Sequence, residues 1–139
     1  MQRIDIINKL SELEKEINIL KKQILKPTLT DLNHIPLLYE WYKEIVAGIK
    51  DFSDEEKAEY KQVFLFCILM LYCPRVLMGE PLSRGIREYL ANLFDRSPSH
   101  VSNLIGDIAF YYKQYTQFKK NCDHVLSEIE ILVAKIRLN

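Results

Sequence analysis

The chain has 139 residues, enough for one domain of ordinary size. A hydrophobic fraction of 48% can fill a core and excludes disorder as the default, while 4 glycines and 5 prolines are too few for the frequent turns of an all-β fold. The 19 basic residues balance the 19 acidic ones, so any surface for a polyanion must be local.

The first predicted element is a helix from Ile4 to Leu25. Ile6, Leu10, Leu13, Ile17, Leu20 and Ile24 recur in alternating steps of four and three, a heptad seam. With Leu10, Ile17 and Ile24 at a and Ile6, Leu13 and Leu20 at d, Lys9 at g faces Glu14 at e of a parallel copy, and Glu16 faces Lys21. Both pairs are opposite in sign, which favours a parallel homodimer; the bland alternative is a stripe that packs on another helix of the same chain. Pro27 ends the helix and separates an N-terminal amphipathic segment, 1–26, from a helical domain, 27–139.

Residues 27–34 read as a loop, and a second helix covers Ile35 to Ala47, with Pro36 in its first turn and Gly48 just past its end. Leu38, Trp41, Tyr42 and Ile45 form its expected buried face. A third helix is expected to start at Ser53, where Ser53 and Glu56 fit a capping box and Asp54 and Glu55 suit the positive end of the dipole. It stops at Tyr72, before Pro74, and its second half is apolar all round, which makes it the centre of the core. The apolar run from Val63 to Cys73 falls well short of the roughly 20 residues of a membrane span. The chain starts on a charged amphipathic pattern with no uninterrupted apolar leader, so it reads as a cytoplasmic protein.

A connector over 74–82 precedes a fourth helix from Ser83 to Phe94, and Ser97-Pro98 reads as the cap and first position of the next. From Val101 through Leu104, Ile108, Tyr111, Tyr115 and Phe118 to Ile136, apolar residues recur by threes and fours. One helix over 98–138, about 60 Å long, fits that spacing, with Gly106 and Asn121 as the places for a break. Phe110 and Ile131 lie off the stripe. The expected class is therefore all-α, about five helices, with long N- and C-terminal heptad-patterned helices.

Cys67, Cys73 and Cys122 sit among apolar or aromatic neighbours and read as reduced, buried thiols. His34, His100 and His124 are far apart, Cys122-x-His124 lacks a partner pair at metal spacing, and there is no Gly-rich phosphate loop. No enzyme, cofactor, metal or small-molecule substrate is expected.

One segment carries an activity. In 87–108, Ala91 is a small residue where two short helices would touch; Leu90, Phe94, Val101 and Leu104 would seal the corner, with Ile105 or Ile108 closing its base. This segment, and the run Ser97-Pro-Ser-His-Val-Ser above all, resembles the helix-turn-helix of phage-repressor-type regulators. It departs from that pattern at Asp95, where glycine is usual, and at Arg96, where an apolar residue is usual. The resemblance implies double-stranded DNA as partner and a recognition helix starting at Pro98. Its outer side would show Ser99, Ser102, Asn103 and Gly106, behind Ser97 and with His100 at the margin, short donors and acceptors suited to base edges and phosphates. Seven basic residues against four acidic ones over 74–120 put the cationic share with this segment, and Arg84, Arg87, Arg96 and Lys113 flank it as phosphate contacts. Two copies, held by the first or the last long helix, would read a palindromic site. The competing reading is a helical interaction protein that binds a partner protein through its long amphipathic helices.

Overall fold

A computed structural model describes residues 2–24, 26–52 and 54–136. Among these the chain is all-helical: α1 (Arg3–Ile24), α2 (Ile35–Ala47), α3 (Ala58–Tyr72), α4 (Arg84–Phe94), α5 (Pro98–Gly106), α6 (Ile108–Gln114) and α7 (Thr116–Ile136), with 3-10 turns at Leu32–His34 and Pro74–Met78. No helix among the described residues is long and apolar enough to cross a membrane.

α3 is the axle. Its face-independent hydrophobicity is matched by burial on every side, from Tyr60 to Leu69 without interruption. α2 and α7 pack against it and against one another, and α5 packs on it from another side. Tyr39, Tyr42, Phe64 and Phe94 interlock between α2, α3 and α4 at ring separations of 4.8–6.2 Å. The Tyr42 hydroxyl, buried in the knot, donates to the Tyr60 carbonyl. The loop after Pro27 is pinned to the end of α3, where the Thr28 and Leu29 amides both donate to the Leu71 carbonyl at 2.9 Å and the Tyr72 hydroxyl donates to the Asp31 carbonyl at 2.8 Å.

α2 has the expected bounds, but its buried face is Ile35, Leu38, Tyr42 and Val46, with Trp41 and Ile45 only half-buried. That is the ordinary 3.6-residue stripe, one step round from the expected one. α3 starts five residues later than its capping box implies. Ser53 lies outside the described residues, and Asp54 spends its carboxylate on the Glu56 amide at 3.0 Å, holding a turn ahead of the helix. Leu25, the expected end of α1, and residues 137 and 138, the expected end of the last helix, also lie outside the description.

The expected single helix over 98–138 is three helices, which is why seven replace five. One break falls at Asp107, beside Gly106 as the glycine suggested; the other falls at Tyr115, not at Asn121. Tyr115 takes an extended conformation (φ −110°, ψ 108°), and its ring stays exposed although the spacing put it on the stripe. The reason is a tertiary network. The Tyr112 hydroxyl meets Asp123 Oδ1 at 2.6 Å and Lys119 Nζ meets Asp123 Oδ2 at 2.8 Å, while the Tyr112 ring stacks on Phe66 of α3. In one straight helix residues 112 and 123 would stand about 16 Å apart along the axis. Folding α6 back at Tyr115 lets both helices cover α3. Burial pushes the Asp123 carboxyl up, but the hydrogen bonds from Lys119 and Tyr112 outweigh it and hold the group below the usual carboxylate range.

All three cysteines are free; Cys67 and Cys122 are buried and Cys73 is half-buried. Burial pushes all three thiols up, Cys73 to about 11.

Candidate nucleic-acid interface

α4 and α5 meet at a corner of three residues, Asp95, Arg96 and Ser97. The corner turns because Asp95 adopts the left-handed conformation (φ 53°, ψ 49°), the role glycine plays in most such turns. The amides of Asp95 and Arg96 then close on the carbonyls of Asn92 and Ala91 at 3.2 and 2.9 Å. Ser97 begins α5 as its cap, its Oγ accepting from the His100 amide at 3.2 Å, and Pro98 follows where no amide is needed. Leu90, Ala91, Phe94, Val101, Leu104 and Ile108 are all buried and seal the inside of the corner, while Ile105 is half-buried at its edge.

A contact that the sequence reading missed locks α5 in place. Gln62, in the first half of α3 just ahead of its apolar run, is 4% exposed and donates from Nε2 to the Leu104 carbonyl at 3.0 Å. That carbonyl is one of the last four of α5, the group that a helix end leaves short of partners. An amide side chain directly at the edge of the apolar run from Val63 to Cys73 was the available signal.

The outer side of α5 divides the expected contact residues. Ser97, Ser99, Ser102 and Asn103 are exposed, as is Gly106. His100 is not with them: it is half-buried, and its Nε2 is enclosed without a hydrogen-bond partner among the described residues, so that nitrogen does not face outward. Of the four cations, Lys113 is exposed on α6 and makes no ion pair among the described residues. Arg84 projects from the start of α4 and pairs with Glu88 at 2.9 Å. Arg96 reaches back to Glu56 at 2.8 Å and to the Asp95 carbonyl at 3.1 Å. Arg87 is half-buried, with Nε enclosed and unpartnered among the described residues. It lies at a cleft of about 510 Å³ whose walls include Val76, Leu82, Ser102, Ile105 and Gly106. Asp95 and Asp107 are the exposed acids at the two ends of α5. The arrangement therefore offers a rigid, shallow, hydrogen-bonding helix face with one uncommitted cation and two more that can exchange partners.

No protein-family model, curated protein or solved structure matches the chain.

Proposed function

We propose that the protein is a sequence-specific, transcriptional-regulator-like DNA-binding protein that works as a homodimer and offers α5 to the major groove of double-stranded DNA. One observation carries this reading: Ser99, Ser102 and Asn103 stand exposed on a nine-residue helix held from behind by α3 and α4. A face of short polar side chains is poor for packing and good for close approach to base edges. Asn103 is the adenine reader, with paired donor and acceptor, and Ser99 and Ser102 reach bases or phosphates. Lys113 and Arg84 neutralise phosphates, Arg87 works from the cleft edge, and Arg96 exchanges Glu56 for a phosphate.

Three neutralised phosphates per copy imply that affinity falls about 40-fold between 50 and 200 mM salt, and far more steeply for a dimer. Fluorescence polarisation with mixed duplexes at both salt concentrations tests this. A variant with Ser99→Glu and Asn103→Glu places two carboxylates on the exposed face and leaves the core untouched. Loss of binding with unchanged helicity supports the reading; unchanged binding removes α5 from it. The exposed apolar residues of α1 favour a second reading, a helical interaction protein for a partner protein. In that case no duplex binds at either salt concentration.

A further inference from the structure

The sequence leaves two candidates for the seam of a homodimer, the first and the last long helix, and the fold separates them. The stripe of α7 is spent inside the body: Phe118, Cys122, Val125, Ile129 and Val133 are buried against α2, α3 and α6. α1 is the opposite case. Every side chain from Arg3 to Gln23 is exposed, including Ile6, Leu10, Leu13, Ile17 and Leu20, which are 40–62% open. Five large apolar side chains at heptad spacing on one helix, none of them buried against their own chain, form an unfilled contact surface.

We infer that the occupant of this surface is α1 of a second copy, running parallel and in register. The charges flanking the stripe decide the occupant and its direction. In the parallel arrangement Lys9 faces Glu14 and Glu16 faces Lys21, on both flanks of the pair. Running antiparallel with full overlap of the stripe, the same helix would set Glu14 against Glu14 and Glu16 against Glu16, like charges at the middle of the seam. The central layers agree with two strands, with Ile17 at a between Leu13 and Leu20 at d. Beside them a shallow groove of about 500 Å³ opens between Ile17, Leu20, Lys21, Gln23 and Met78, so the partner helix gains the exposed Met78 side chain as a rim. Parallel pairing brings the two helix starts together and hangs both bodies from the Pro27 end. The inference specifies the interface of the proposed dimer, and it does not require DNA.

Sedimentation equilibrium of the full chain without DNA, from about 10 to about 500 µM, is the test, since association of so short a seam depends on concentration. The expected species grows to twice 16.4 kDa. The variant Leu13→Asp with Ile17→Asp, both exposed in the single chain, should sediment as one copy at every concentration with its near-ultraviolet spectrum intact. Direction is read with Arg3→Cys, at an a position of the same heptad, under mild oxidation: parallel helices in register put the two thiols side by side across the seam, whereas antiparallel ones hold them about 36 Å apart. Wild-type protein is the control for disulfides through the native thiols, of which Cys67 and Cys122 are buried and Cys73 is half-buried. A wild type that stays single, or that binds only a different protein, overturns the inference. So does a dimer that survives the double substitution, and so does a dimer that Arg3→Cys fails to cross-link. Because association is measured without nucleic acid, each of these failures is separate from a failure of duplex binding.

Discussion

Replacing Gln62 by leucine tests whether the break after α5 is held from the core. Leucine keeps most of the volume and removes the amide, so the Leu104 carbonyl, in a residue only 7% exposed, loses its 3.0 Å donor. A buried acceptor left without a partner costs about 1–3 kcal/mol, and the apolar gain of leucine over a buried amide offsets part of that. The net expectation is a loss of about 1–2 kcal/mol, or a Tm lower by about 3–8 °C for a chain of this size. Thermal and urea denaturation followed by far-ultraviolet circular dichroism give both numbers. Amide exchange across 104–108 should accelerate more than exchange in α7, because the damage is local. A Tm within about 1 °C of wild type would show that the carbonyl has another donor and that α5 does not depend on α3 for its end.

Other outcomes follow from the corner and from the α6–α7 network. Asp95→Gly relieves a left-handed L-residue at about 1–2 kcal/mol but adds freedom to the unfolded chain, so chemical denaturation should show a gain of about 0.5 kcal/mol. A destabilised variant would mean that the Asp95 side chain contributes more than its backbone costs. Asp123 titrates below its unfolded value in the folded protein, so its contribution is complete above the unfolded carboxylate pKa and is lost as pH falls through the folded one. Asp123→Asn should therefore narrow the drop in Tm between pH 7 and about pH 2.5. An identical acid drop in variant and wild type would show that the Tyr112–Lys119 cradle does not act on that carboxylate.

What the sequence revealed was local chemistry, and what it hid was long-range geometry. Pro36, Pro74 and Ser97-Pro98 punctuate the chain through backbone constraints that act within a few residues, and the start of α2, the end of α3 and the start of α5 that they implied are those observed. The inner face of the corner was equally readable, because Ala91, Leu90, Phe94, Val101 and Leu104 follow helical spacing over a short span. Tyr115 carries no such mark. Nothing at that position forbids helix, and the turn there exists because Tyr112, Lys119 and Asp123 find each other and Phe66, far away in sequence, receives the Tyr112 ring. The settings of His100 and Arg96 were hidden for the same reason: spacing placed them at the rim, while the enclosure of one and the ion pair of the other depend on the rest of the fold. Glu56, the partner of Arg96, comes from the loop before α3.

The order in which a ribosome delivers the chain gives the burial of α3 a further meaning. α3 emerges well before α7, yet α7 is one of the walls that cover it. Until that wall arrives, the growing polypeptide carries a greasy rod with one long side bare, even where α2 and α5 cover others. The nascent protein must either wait in a loose collapsed state or be shielded by a chaperone, and truncations that stop short of α7 should come out of cells as aggregates.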